Sequence, residues 1–235
     1  MTSRKPLLCL GFFLFLLSAA PTFAATQENY GIYQNDINTL KQMLHKAEED
    51  LAREPGNISA LKRAGISSHQ LALLQGDDHA KKAIEYLQAI VDKDRNDAIA
   101  MAYLGSSYTL VARDTSVIMD KVSNVNKGVS LLNRAVRSNP QDIMVRMVRG
   151  SVIFELPAMF KKTEQGIEDF SYIESHFPDM SDITDIDVTG FKAEVYYKLG
   201  ILKKDVGDKD IAKSYFQKAI DAAPDSQWAK LAKKG

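Results

Sequence analysis

Apolar residues recur along most of this chain at intervals of three and four, the spacing that gathers them on one face of an α-helix. Residues Asn35 to Arg53 read as a single amphipathic helix. Beyond it the same pattern comes in blocks with a common punctuation. Glycine sits inside an apolar or alanine-rich run at Gly65, Gly105, Gly150 and Gly200. Proline marks the preceding turn at Pro55, Pro140, Pro178 and Pro224, and Arg95 stands in the corresponding turn Lys93-Asp94-Arg95-Asn96. The offsets Pro55 to Gly65, Arg95 to Gly105 and Pro140 to Gly150 are equal at ten residues, while Pro178 to Gly200 breaks the rule at 22. A constant offset means that a turn feeds a helix of fixed length, whose glycine lands in a fixed packing environment. Self-similarity of this kind predicts a repeat architecture.

The block Ala193 to Ser226 carries the pattern most fully: Tyr196, Leu199, Gly200, Ala212, Phe216, Ala219 and Pro224 fall in register. This resembles the tetratricopeptide repeat, a helix–turn–helix unit of about 34 residues, with Lys203 where the family has a second aromatic. The resemblance implies an all-α, right-handed α-α superhelix of about four helical pairs over residues 56–235. Gly200 and Ala212 are then small because the paired helices cross there, and Tyr196 and Phe216 fill the adjoining holes. Gly207-Asp208 makes the tight turn, which glycine suits by tolerating positive φ. Earlier blocks match less completely, through Gly65, Ala83 and Leu87, through Gly105, Tyr108, Ala135 and Pro140, and through Gly150, Phe170 and Pro178. Interhelix insertions are expected at Gln75–Asp78, at Arg113–Lys127 and around Glu155-Leu156-Pro157. The helix within residues 25–55 caps the start of the stack, and Trp228 in a closing helix covers its last pair.

The first 24 residues read differently. Arg4 and Lys5 precede an apolar core from Leu7 to Leu17, and small residues follow, with Thr22 and Ala24 at the positions a signal peptidase reads. A cleaved signal peptide ending at Ala24 is therefore expected, with a periplasmic or secreted product. The lone cysteine, Cys9, lies inside it, so the mature chain has no thiol, which suits an oxidising compartment. The apolar core is short for a membrane span of about 20 residues, so no span is expected after cleavage. With 45% hydrophobic and 26% charged residues the chain has a globular balance, and its zero formal charge gives no basic stripe for nucleic acid.

Reactive constellations are scarce. The chain has no G-x-G-x-x-G, Walker loop, H-E-x-x-H or G-x-S-x-G pattern, so no catalytic residue and no cofactor is assigned. His45, His69, His79 and His176 lie in four separate segments. Asp77-Asp78-His79 reads as a polar turn rather than a metal site. The acidic stretch Asp179–Asp187 reads as a solvated linker, since it lacks the glycine and closing glutamate of a calcium loop. Two features stand out. Arg146 and Arg149 occupy places held by Tyr196 and Leu199 in the last block. Arginine in a packed layer must be paired, and Asp169, Glu168, Asp114 and Glu155 are the candidate partners. The alternative is a recognition point for an anionic partner. The segment Phe154 to Phe160 either folds back over the solenoid or leaves an apolar patch for a partner.

By repeat register the concave face of the first helices includes Lys62, His69, Ser106, Thr109, Met147, Phe154, Tyr197 and Ile201. With Arg146 and Arg149 these are the candidate partner-binding residues. Some members of the family clamp carboxyl-terminal peptides with asparagine and basic residues. Here Lys62 matches one place, but Ile66 stands where the asparagine should be and Ile99 and Tyr103 replace basic residues, so that clamp is not carried over. The expected role is a non-catalytic scaffold or adaptor that binds another envelope protein or peptide. The alternative is a periplasmic small-ligand-binding component of a transporter, favoured if the insertions enclose a pocket. Nothing in the sequence fixes an oligomeric state.

Overall fold

A computed structural model describes residues 36–76, 78–177 and 187–235. Within them the chain forms α1 (Ile37–Arg53), α2 (Ile58–Gln75), α3 (His79–Lys93), α4 (Ala98–Asp114), α5 (Ile118–Ser138) and α6 (Ile143–Glu155). A 3-10 turn (Ala158–Phe160) follows, and then α7 (Thr163–Ser175), α8 (Val188–Asp205), α9 (Lys209–Ala222) and α10 (Gln227–Ala232). The described residues form no strand. The expected leader, and the acidic stretch apart from Asp187, lie outside the described residues. No described helix is long and apolar enough to cross a membrane.

Four hairpins, α2/α3, α4/α5, α6/α7 and α8/α9, pack in succession into an all-α solenoid. The equal offsets have a local cause. Before α2, α4, α6 and α10 the chain makes the same four-residue turn, closed by Asn57 N–H to Glu54 O, Asp97 to Asp94, Asp142 to Asn139 and Ser226 to Ala223. Pro55, Pro140 and Pro224 hold the second place, where proline presets φ. The fourth residue then caps the next helix: the side chains of Asn57, Asp97, Asp142 and Ser226 accept from the backbone N–H of Ala60, Ala100, Val145 and Ala229. Asp187 caps α8 in the same way, but 13 residues before Gly200 rather than the eight that separate Asn57 from Gly65. The broken offset thus reflects in part a first helix that begins more than a turn early.

Each hairpin is closed at one recurring crossing. A Cβ added at Gly65, Gly105, Gly150 or Gly200 would meet Leu87, Leu132, Phe170 or Phe216 respectively, at 2.6, 2.9, 3.1 and 2.5 Å. Four residues before each of those side chains stands a small one: Ala83, Gly128, Gly166 and Ala212. In the second hairpin the two backbones themselves touch, because a Cβ at Gly105 would lie 2.7 Å from the Gly128 carbonyl oxygen. Between α8 and α9 the chain reverses as expected. Gly207 has φ +93°, and the N–H groups of Asp208 and Gly207 return to the carbonyls of Lys203 and Lys204.

Two expectations about the segments between helices are refined. The stretch Arg113–Lys127 is not an irregular insertion: α4 runs to Asp114, and α5 begins at Ile118 and projects its first turns beyond the crossing. The helix expected to cap the start of the stack is seated on α2, with Leu40, Leu44 and Ala47 buried against Ala64 and Leu71. The segment after α6 folds back for part of its length only. Leu156 and Phe160 pack on Ala112, Val125 and Val129, whereas Met159 stays exposed. At the other end Trp228 lies 5.6 Å from the Tyr197 ring, covering the last pair as expected.

Candidate functional site

The first helices α2, α4 and α6 line up, α2 against α4 and α4 against α6. Their shared face does not open directly to solvent. The projecting turns of α5 and the 3-10 turn after α6 wall it on a further side and leave a cleft of about 800 Å³. Val148 and Val152 of α6 line it together with Ile118, Val122 and Val125 of α5, Leu73 of α2, Leu110 of α4, and Leu156, Met159 and Phe160 of the segment after α6. Ile118 on α5 follows an i, i+4, i+7, i+11 spacing through Val122, Val125 and Val129, so the long helix buries its base and leaves its tip apolar and exposed.

Polar side chains line it as well, and most of those on its floor are committed within the protein. His69 is buried, and its Nε2 lies 2.8 Å from the Ser106 hydroxyl. Its ring stands edge-on to Tyr103 at 5.0 Å, and its Nδ1 is buried without a partner. Thr109 donates to the Ser106 carbonyl, and Ser151 accepts from Lys198, which also pairs with Glu194 at 2.6 Å. Burial holds the His69 imidazole far below its ordinary range, at about 3, with a further push from Arg113. Burial raises the Tyr103 phenol in the opposite sense. Both rings therefore present neutral surfaces to the cleft at neutral pH.

A pH dependence of stability follows. In the unfolded chain His69 takes up a proton below the ordinary imidazole value of 6.5, whereas the folded site resists protonation down to about 3. The stabilisation is complete above the unfolded value and is lost as pH falls towards the folded one. Between pH 7 and pH 5 this amounts to about 2 kcal/mol. His69→Gln keeps a bond to Ser106 and does not titrate, so its urea midpoint should fall less over that interval. Parallel pH profiles for the two proteins would assign the dependence elsewhere.

The ten candidate residues separate into four groups. His69, Ser106, Thr109 and Met147 come together in the cleft. Lys62 does not join them: its ammonium pairs with the capping Asp97 at 2.8 Å and ties α2 to the start of α4. Phe154, Tyr197 and Ile201 lie further along, where Phe154 packs edge-on against Tyr197 at 6.3 Å and Ile201 rests in the cluster around Phe216. Arg146 and Arg149 turn inward. Arg149 grips Asp169 with Nε and Nη2, both at 2.7 Å, and Arg146 donates to the same carboxylate at 3.0 Å. The Pro140 carbonyl, Asn133 and the Tyr172 ring complete their surroundings. Glu168 is a further partner, whereas Asp114 pairs with Arg113. Of the two readings open for these arginines, the geometry gives the internal network that fastens α6 to α7, not a surface that recognises an anion. Burial pushes the Asp169 carboxyl upward against the pull of both guanidiniums.

The α5 wall of the cleft was the part missed in sequence. Ile118, Val122 and Val125 lay in a segment read as an insertion, whereas Met159 and Phe160 belong to the segment singled out as a possible partner patch. The signal was present, since the helical spacing from Ile118 to Val129 continues unbroken to Leu132. Among the described residues no cluster of His, Cys, Asp and Glu has the arrangement of a metal site.

Residues 193–226 match the family model of the tetratricopeptide repeat. No curated protein matches the chain in sequence. Among solved structures the chain is similar to TTC0263, a thermophilic tetratricopeptide-repeat protein of Thermus thermophilus, with 17% identity and a TM-score of 0.62 over 84% of this chain and 91% of that one. It is similar to YrrB, described as a tetratricopeptide-repeat protein with an unusual peptide-binding site, at 19% identity and a TM-score of 0.53 over 85% and 86%. MamA gives 20% identity and a TM-score of 0.52 over 88% of this chain and 99% of its own. At these identities the likeness is one of fold.

Proposed function

We propose that this chain, which carries a tetratricopeptide repeat at residues 193–226 and a stacked-hairpin fold like that of tetratricopeptide-repeat proteins, is a non-catalytic interaction scaffold of the bacterial cell envelope. The observation that carries this reading is the exposed apolar rim of the cleft. Ile118 on the projecting α5 and Met159 on the opposing turn are 76% and 80% exposed and border the same opening. Bulky side chains exposed at the mouth of an apolar concavity mark a place that another molecule covers. YrrB, described as having a peptide-binding site, lends the family's mode of action. The leader-like segment ending at Ala24 and a thiol-free remainder support export.

The test is affinity purification of the tagged chain from native envelope with crosslinking, beside the doubly substituted Ile118→Glu, Met159→Glu protein. Both residues are on the surface, so the variant should melt like the parent while losing the specific partner. Retention of that partner by the variant would remove the rim from the reading. The volume of the cleft favours a second reading, a small-ligand-binding component of a transporter, since about 800 Å³ falls in the usual range of ligand sites.

A further inference from the structure

Resting on this second reading, we propose that the cleft holds a single-chain amphiphile with an anionic head, of the long-chain carboxylate class. Three properties of the site select this chemistry.

The first is shape. The projecting turns of α5 line the space together with α2, α4 and α6, so it has walls on more than the first-helix face and a volume of about 800 Å³. The second is the lining. Its walls are largely apolar on α5 and α6, through Ile118, Val122, Val125, Met147, Val148 and Val152, with Leu110 and Ala112 on α4, and the main chain of those walls is engaged in helices. Among the described residues no strand edge offers N–H and C=O groups to an extended peptide. A peptide backbone placed here would lose its hydrogen bonds to water with few replacements, at a cost that a hydrocarbon chain does not incur. The polar floor does little to change this, because Ser106, Thr109 and Ser151 already bond within the protein.

The third is charge. On the α4/α5 side Arg113 and Lys121 border the cleft, and on the α6/α8 side Glu155 and Glu194 do, with Lys198 committed to Glu194. Asp114, which pairs with Arg113, is not among the lining residues. An anionic head is therefore favoured beside Lys121 and disfavoured beside the glutamates, which fixes the direction of the bound chain: head at the first turn of α5, tail towards Val148 and Val152. The exposed Ile118 and Val122 then cover the chain next to its head.

The experiment titrates the delipidated full chain with a fluorescent long-chain carboxylate and with the alcohol of the same chain, and repeats both with Ile118→Glu and Lys121→Glu. Both substitutions are on exposed positions of α5, so circular dichroism should be unchanged. The expected result is saturable binding of one molecule per chain, with the carboxylate favoured over the alcohol by about fivefold, the worth of one exposed ion pair. Lys121→Glu should erase that preference while leaving the alcohol bound as before, and Ile118→Glu should weaken both. Equal binding of acid and alcohol by the parent protein overturns the anionic head and leaves the small-ligand reading standing. Absence of saturable binding by either overturns both. Binding undiminished by Ile118→Glu moves the ligand out of the cleft and overturns the proposal. An amphipathic helical peptide that saturates the parent protein and displaces the carboxylate would give the cleft to a protein segment, with the same consequence.

Discussion

Asp169→Ala is expected to destabilise the protein by about 3–5 kcal/mol, because it leaves two guanidiniums buried without a counter-charge. Asp169 is fully buried, and Arg146 and Arg149 both spend their best hydrogen bonds on it. Glu168 remains near but is largely exposed and stands at 3.3 and 3.7 Å from the two arginines, too loose to replace a bidentate grip. The intact network contributes far less than its removal costs. Burial already acts against ionised Asp169, so Coulombic gain and desolvation largely cancel. The triple replacement Arg146→Met, Arg149→Leu, Asp169→Leu should accordingly recover most of the loss. Urea denaturation of the three proteins checks this. A loss below about 1 kcal/mol for Asp169→Ala, the range of a surface ion pair, would mean that water reaches the arginines.

Gly105→Leu is expected to lie at or above the top of the range of about 1–3 kcal/mol usual for overpacking, and Gly200→Leu within it. Both glycines sit at the crossing of a hairpin, and an added Cβ is close to its neighbour in both. The neighbours differ in kind. At Gly200 the obstacle is the Phe216 ring, a side chain that turns aside at some cost in packing. At Gly105 it is the Gly128 carbonyl oxygen at 2.7 Å and the Leu132 amide nitrogen at 3.1 Å, so the whole of α5 must move away. That movement also opens the cleft wall, and Gly105→Leu should weaken any occupant of the cleft while Gly200→Leu leaves it in place. Thermal melts of the two variants settle the order. Equal melting temperatures would show that α5 is more loosely seated than the crossing implies.

The repeat was legible because its causes are local. A turn closed by one hydrogen bond, a cap three residues after the turn's first member, and a glycine at a crossing each leave a mark at a fixed place in the chain. The capping residues Asn57, Asp97, Asp142 and Ser226 are equally readable, each two places after the proline or arginine of its turn. The cleft was not legible to the same degree. Its floor follows from repeat register, which brought His69, Ser106, Thr109 and Met147 forward together. Its wall depends on where α5 starts relative to the crossing, and a run read as an insertion conceals a helix that has simply been lengthened. Arg146 and Arg149 were equivocal for a related reason. Their register put them in a packed layer, but only the arrival of Asp169 from the facing helix decides between an internal bond and a free charge.

The central claim is that the rimmed cleft on the first-helix face is where this protein meets another molecule. A photoreactive residue placed at Ile118 in living cells tests it most directly, with Ile211, an exposed apolar residue on the second helix α9, as the comparison. The account predicts a defined adduct from Ile118 that is absent from Ile211 and disappears when Met159→Glu is added. The same adducts from both positions, or an Ile118 adduct indifferent to Met159→Glu, would contradict it.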